Sequence, residues 1–141
     1  MTLTLPLFTL LGFALWTLVV LVATVGVHRW SLILTKRAPI NAFRADAPTG
    51  PDWYRRAMRA HANCVENLPV YGAIVAVATF AGVTGRLLDA LSVVVLGARV
   101  CQTVVHVAFV ETERSVGFRF GFFAVQLASM SWMAVLVLMN A

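Results

Sequence analysis

The chain has 141 residues, of which 60% are hydrophobic and 12% charged, and its mean hydropathy is +0.85. Those fractions lie far outside the soluble globular range and exclude a water-exposed domain as the main architecture. The net charge of +5 would suggest nucleic acid in a soluble protein, but its distribution along the chain argues against that partner.

Four apolar runs, 5–27, 68–83, 87–110 and 116–139, stand out, and a bilayer-crossing helix needs about 20 mostly apolar residues. The start, "MTLTLPLFTLLGF", has no basic n-region, and its apolar run outlasts the roughly 7 to 15 residues of a secretory signal. A retained first helix over 5–34 is expected. The polar segment "TKRAPINAFRADAPTGPDWYRR" reads as a loop punctuated by Pro48, Gly50 and Pro51, with Asp52 placed to cap a helix from Trp53. The second run is short, so its helix is expected to begin in the polar residues before it and to cover 53–83. Pro69 lies within it and predicts a kink, because its ring removes a backbone hydrogen bond. "GVTGR" is a tight turn into a third helix over 87–111, and "ETERS" leads into a fourth over 115–139, with Ser115 or Thr112 as its cap. The prediction is a single all-α membrane domain of four transmembrane helices. Cys64 and Cys101 fall inside spans without metal-ligand spacing; both are expected to be packing residues, and no metal site is predicted.

Arg29, Lys36, Arg37, Arg44, Arg55, Arg56 and Arg59 gather around the first connection, and Arg114 and Arg119 flank the third. The second connection carries only Arg86, near Asp89. By the positive-inside rule the first and third connections face the cytoplasm and both termini face the other side. Topology alone accounts for most of these cations, and Arg119 is expected to be one of them, snorkelling to the interface.

Chemistry-bearing residues recur at helical spacing. Arg59, Asn63 and Glu66 fall within about 40° of one another on one helix face, with His61 on the opposite face. Glu66 lies about 10 Å deeper than Arg59 along the axis, and a charge at the centre of a span costs about 2.5 to 3.5 kcal/mol on the translocon scale. It needs a partner or a wet cavity. Arg99, Gln102 and His106 form a second stripe at i, i+3 and i+7. Two stripes on neighbouring helices imply a shared polar pocket, within one subunit or between subunits. One reading is a set of interhelical hydrogen bonds with Glu66 neutralised by Arg99. The other is a site for a zwitterion, with arginines taking carboxylates, Glu66 an ammonium, and Asn63 offering a donor and an acceptor.

The stretch "GPDWYRRAMRAHANCVENLP" resembles the second-helix signature of the membrane-associated proteins in eicosanoid and glutathione metabolism, the MAPEG family. It is most similar to the branch with leukotriene-synthesising enzymes, microsomal glutathione transferases and the lipoxygenase-activating protein. The matching positions are Gly50, Tyr54, Arg56, Arg59, Ala60, Asn63, Cys64, Glu66 and Pro69. Arg99 stands where the family has its third-helix arginine, and Lys36 with Arg37 where it has a basic pair ending the first helix. Gln102 and His106 stand where the well-studied branch has tyrosines, and Asn67 where a second-helix tyrosine is common.

The resemblance implies a homotrimer of four-helix subunits in contact with membrane lipids, with glutathione as co-substrate. It implies that Arg59, Asn63 and Glu66 bind the glutathione backbone, with Arg37, Arg99, Gln102 and His106 beside it. In "ETERSVGF", Arg114 and Ser115 resemble the fourth-helix start that supplies the arginine stabilising the glutathione thiolate, so Arg114 is the expected catalytic residue. The implied activity is transfer of the thiol to an apolar electrophile, or reduction of a lipid hydroperoxide. The alternative is a non-catalytic lipid- or partner-binding protein on the same fold. A small transporter fits less well, since the four spans carry no inverted repeat.

Overall fold

A computed structural model describes residues 3–44 and 46–140. The described residues are helical throughout apart from short connections. They form four long helices running alternately up and down: α1 (Leu5–Leu34), α2 (Asp52–Phe80), α3 (Arg86–Ala108) and α4 (Glu113–Asn140). α1, α3 and α4 are each long and apolar enough to cross a membrane. α2, although 29 residues long, carries Asp52, Arg55, Arg56, Arg59 and Glu66 in its first half, which is why its apolar run alone looked short.

The bundle is apolar on the outside. Phe8, Leu11, Leu15, Leu18 and Val22 on α1, and Phe118, Val125 and Trp132 on α4, are exposed, while Thr9, Thr17, Ser92, Gln102 and Gln126 are buried. In hydrocarbon, helices gain nothing by hiding apolar surface from lipid, so packing and interhelical hydrogen bonds hold them together. This chain follows that rule. Phe13, Cys64, Tyr71, Val75, Val95 and Met133 pack tightly at the centre, and the Tyr71 hydroxyl bonds Thr9 Oγ1 at 2.6 Å and the Ser92 carbonyl at 3.4 Å. That one group ties α1, α2 and α3. Cys64 is buried as expected, but Cys101 is exposed on the outer side of α3.

Local chemistry explains the boundaries. Inside α1, residues Leu21–Gly26 widen into a π-helical turn. α2 is continuous through Pro69. It ends in a Schellman motif, with Val83 N–H donating to Ala78 O at 2.9 Å and Gly82 N–H to Thr79 O at 3.2 Å, Gly82 supplying the positive φ of 69°. α4 begins with a reciprocal cap: Ser115 N–H donates to Thr112 Oγ1 at 3.2 Å and Thr112 N–H to Ser115 Oγ at 2.9 Å. α3 and α4, joined by only four residues, make the most extensive helix contact in the bundle.

The long first connection is anchored at the end of α1. Arg29 Nε donates to the Tyr54 hydroxyl at 2.7 Å and its guanidinium lies over the Phe43 ring at 5.5 Å. His28 packs against Tyr54 and Trp53 at centroid distances of 4.4 and 5.1 Å. Gly50 adopts φ +141°, and a Cβ there would stand 3.1 Å from Tyr54 Cδ1, so both backbone conformation and space require glycine ahead of this aromatic.

Candidate functional site

A cleft of about 390 Å³ opens between α2, α3 and α4 on the side of the bundle where the first and third connections lie. Arg59, Asn63, Glu66 and Asn67 line it from α2, Gln102 and His106 from α3, and Val116, Arg119, Phe120 and Phe123 from α4. Periodicity accounts for the α2 wall. Positions 59, 63, 66 and 67 repeat every three or four residues, so they share a face while α2 buries Tyr54, Ala57, Ala60, Cys64 and Tyr71 on another.

Glu66 is exposed to this side and belongs to none of the four ion pairs found among the described residues, which are Arg44–Asp46, Arg55–Asp52, Arg59–Glu111 and Arg119–Glu111. A direct Glu66–Arg99 ion pair, the closest form of the neutralisation that one of the two readings of the stripes expected, is therefore absent among the described residues. Arg99 does not line the cleft. It is 1% exposed, lies over the Phe13 ring at 5.3 Å, and leaves its Nε and Nη2 without hydrogen-bond partners.

Gln102 and His106 reach the cleft in different ways. Gln102 is engaged at both ends of its amide: Nε2 donates to the Arg119 carbonyl at 3.0 Å, and Oε1 accepts from Gln126 Nε2 at 3.0 Å. Much of its hydrogen-bonding capacity is spent on joining α3 to α4. His106 is 6% exposed and its Nε2 has no partner in the chain. A buried polar atom left without a partner is costly, and of the two α3 groups that line the cleft, His106 is the one with a nitrogen free for a ligand or a water.

Arg119 occupies the cleft, where a topology cation was expected. Its side chain is only 16% exposed, and its Nη1 lies 3.4 Å from Glu111 Oε1, the same oxygen that Arg59 Nη1 approaches at 3.3 Å. Arg114 points elsewhere. It is exposed and lines a separate cavity of about 550 Å³ with Val105, Phe109, Val110, Thr112, Ser115, Phe118 and Phe122. The two cavities flank opposite sides of the α3–α4 contact. Ser115, the neighbour of Arg114, is consumed as a cap and also donates to the Val110 carbonyl at 3.0 Å. Arg37 is exposed in the first connection and lines neither cavity. His61 faces away from the cleft, as its helical position predicts.

Chemically, the cleft offers two guanidiniums at its outer end, a carboxylate outside the ion pairs about two turns deeper, three amides, an imidazole and two phenyl rings. That set suits an elongated zwitterion better than an apolar molecule. No cluster of His, Cys, Asp and Glu able to hold a metal occurs among the described residues. Compared with known proteins, the chain matches the family model described as the MAPEG family over residues 5–138. No curated protein and no solved structure matches it.

Proposed function

The chain belongs to the MAPEG family, and from that premise we propose that it is a glutathione-dependent transferase or peroxidase of the membrane, acting on apolar electrophiles or lipid hydroperoxides. The observation that carries this reading is Glu66: an exposed, unpaired carboxylate in a cleft whose outer end holds Arg59 and Arg119. Glutathione has an ammonium for Glu66 and a distant carboxylate for the arginines, with peptide groups between them for Asn63. His106 Nε2, orphaned in the chain, is positioned to take one further contact.

The nucleophile in this reading is the substrate's own sulfur, so neither cysteine is called upon. The chain supplies binding and electrostatics. Arg114 stands in the first turn of α4, where a guanidinium and the helix dipole both favour a thiolate. Within one subunit Arg114 and the α2 stripe lie on opposite sides of the α3–α4 contact, so its action on the same glutathione requires a neighbouring subunit. That is the argument for a homotrimer in which one subunit's Arg114 completes another's cleft. The apolar cavity beside Arg114 is then the place for an apolar co-substrate arriving from the bilayer. The same cavity also suits a lipid in a protein without catalysis, the second reading, which glutathione binding separates from the first.

Equilibrium binding of glutathione in detergent tests the proposal. Glu66→Gln should weaken binding by about 1.5 to 3 kcal/mol, the worth of a hydrogen bond to a charged group, while His61→Ala should leave it unchanged. Equal effects of the two substitutions would contradict the assignment.

A further inference from the structure

Glu111 is the only residue of the short α3–α4 connection to reach the cleft's cations, and it does so with a single carboxylate oxygen, 3.3 Å from Arg59 Nη1 on α2 and 3.4 Å from Arg119 Nη1 on α4. Two guanidiniums from different helices converging on one oxygen is the geometry of a carboxylate-binding site. Here the chain's own carboxylate fills it. We infer that Arg59 and Arg119 are the carboxylate-binding pair of the cleft and that Glu111 is an internal competitor for it, displaced when an anionic ligand enters. Arg119 is thereby a ligand-binding residue, and Glu111 sets how strong a carboxylate the site accepts.

Three features make Glu111 the displaceable member. Its contacts are long, since charge-assisted N–H···O bonds run at about 2.7–2.9 Å. It sits in a non-helical connection, where it swings away without unwinding a turn, whereas both arginines are fixed on long helices. Its side chain is 43% exposed against 16% for Arg119, so release returns it to water while Arg119 stays in place. With two cations facing one anion, the outer cleft keeps a net positive charge even when latched. A ligand carboxylate therefore meets attraction before it meets competition.

The inference rests on the proposed binding of glutathione for the ligand's identity, and a reagent unrelated to glutathione separates the two. Phe123 lines the cleft one turn beyond Arg119. In a Cys101→Ala background, which removes the exposed native thiol while Cys64 stays buried, Phe123→Cys can be labelled with the anionic 2-sulfonatoethyl methanethiosulfonate and with neutral methyl methanethiosulfonate. Adding Glu111→Gln should raise the ratio of anionic to neutral labelling rates by about two- to fivefold, the range spanned by partly exposed ion pairs. Adding Arg119→Gln instead should lower it. An unchanged or falling ratio in Glu111→Gln, with the melting temperature in detergent preserved, overturns the latch. Protection by glutathione is read in the same samples: it should appear at lower glutathione concentration in the Glu111→Gln background. A raised ratio without any protection in either background leaves the latch standing and removes glutathione as its ligand.

Discussion

Gln126 holds the register that puts Arg119, and not Arg114, against the α2 stripe. It is fully buried in the α3–α4 contact, donating from Nε2 to Gln102 Oε1 and to the Phe122 carbonyl, both at 3.0 Å, while Gln102 in turn bonds the carbonyl of Arg119. An interhelical hydrogen bond in a membrane contributes roughly 0.6 to 2 kcal/mol. Gln126→Leu should lower stability in detergent by about that amount, read as a lower melting temperature, and should weaken glutathione through loss of α4 register; a stability loss with unchanged binding would detach the ladder from the site. The stripe at Arg59, Asn63 and Glu66 was legible because polar groups at helical spacing stand out in an apolar sequence. Arg119 was not, because cations close to a helix end are what topology already requires. A signal was available: Arg119 and Gln126 stand seven residues apart, on one face, and Gln126 is an amide deep in a mostly apolar run.

At the scale of elements, hydropathy located α1, α3 and α4 but understated α2, whose charged first half is cleft wall and not loop. The π-helical turn at Leu21–Gly26 left no trace in a run that is apolar on every face. The first connection shows the reverse case, in which a sequence signature has a local cause. Gly50 is four residues before Tyr54, and its φ of +141° together with the 3.1 Å approach of Tyr54 Cδ1 exclude a side chain there. Gly50→Ala should cost about 1–3 kcal/mol, as expected for a residue forced into a sparsely populated backbone region. Because Tyr54 also accepts from Arg29, the loss should show as earlier proteolysis of the 35–51 connection as well as a lower melting temperature. An Ala variant as stable and as protease-resistant as the parent would mean the anchor contributes nothing.

At the scale of the whole molecule, the cleft opens on the side of the bundle where most of the cations gather, which the positive-inside rule assigns to the cytoplasm. A cysteine placed at Thr49 should then react with an impermeant reagent only from the cytoplasmic side and one at Thr84 only from the opposite side; the reverse pattern would move the site across the membrane. A polar mouth at one end of the bundle with apolar walls toward the bilayer suits the proposed meeting of a water-soluble thiol with a membrane-borne partner. The proposed activity requires that the chain bind glutathione and ionise it. The most direct measurement is ultraviolet absorbance of the thiolate as glutathione is titrated at neutral pH into the purified protein and into its Arg114→Ala variant. A guanidinium within about 4–6 Å favours the thiolate and lowers the thiol pKa by one to a few units. The parent should develop a saturable thiolate signal, and Arg114→Ala should lose most of it while still binding glutathione. A parent that binds glutathione without any thiolate, or does not bind it at all, would contradict the enzyme and leave a lipid-binding protein on the same fold.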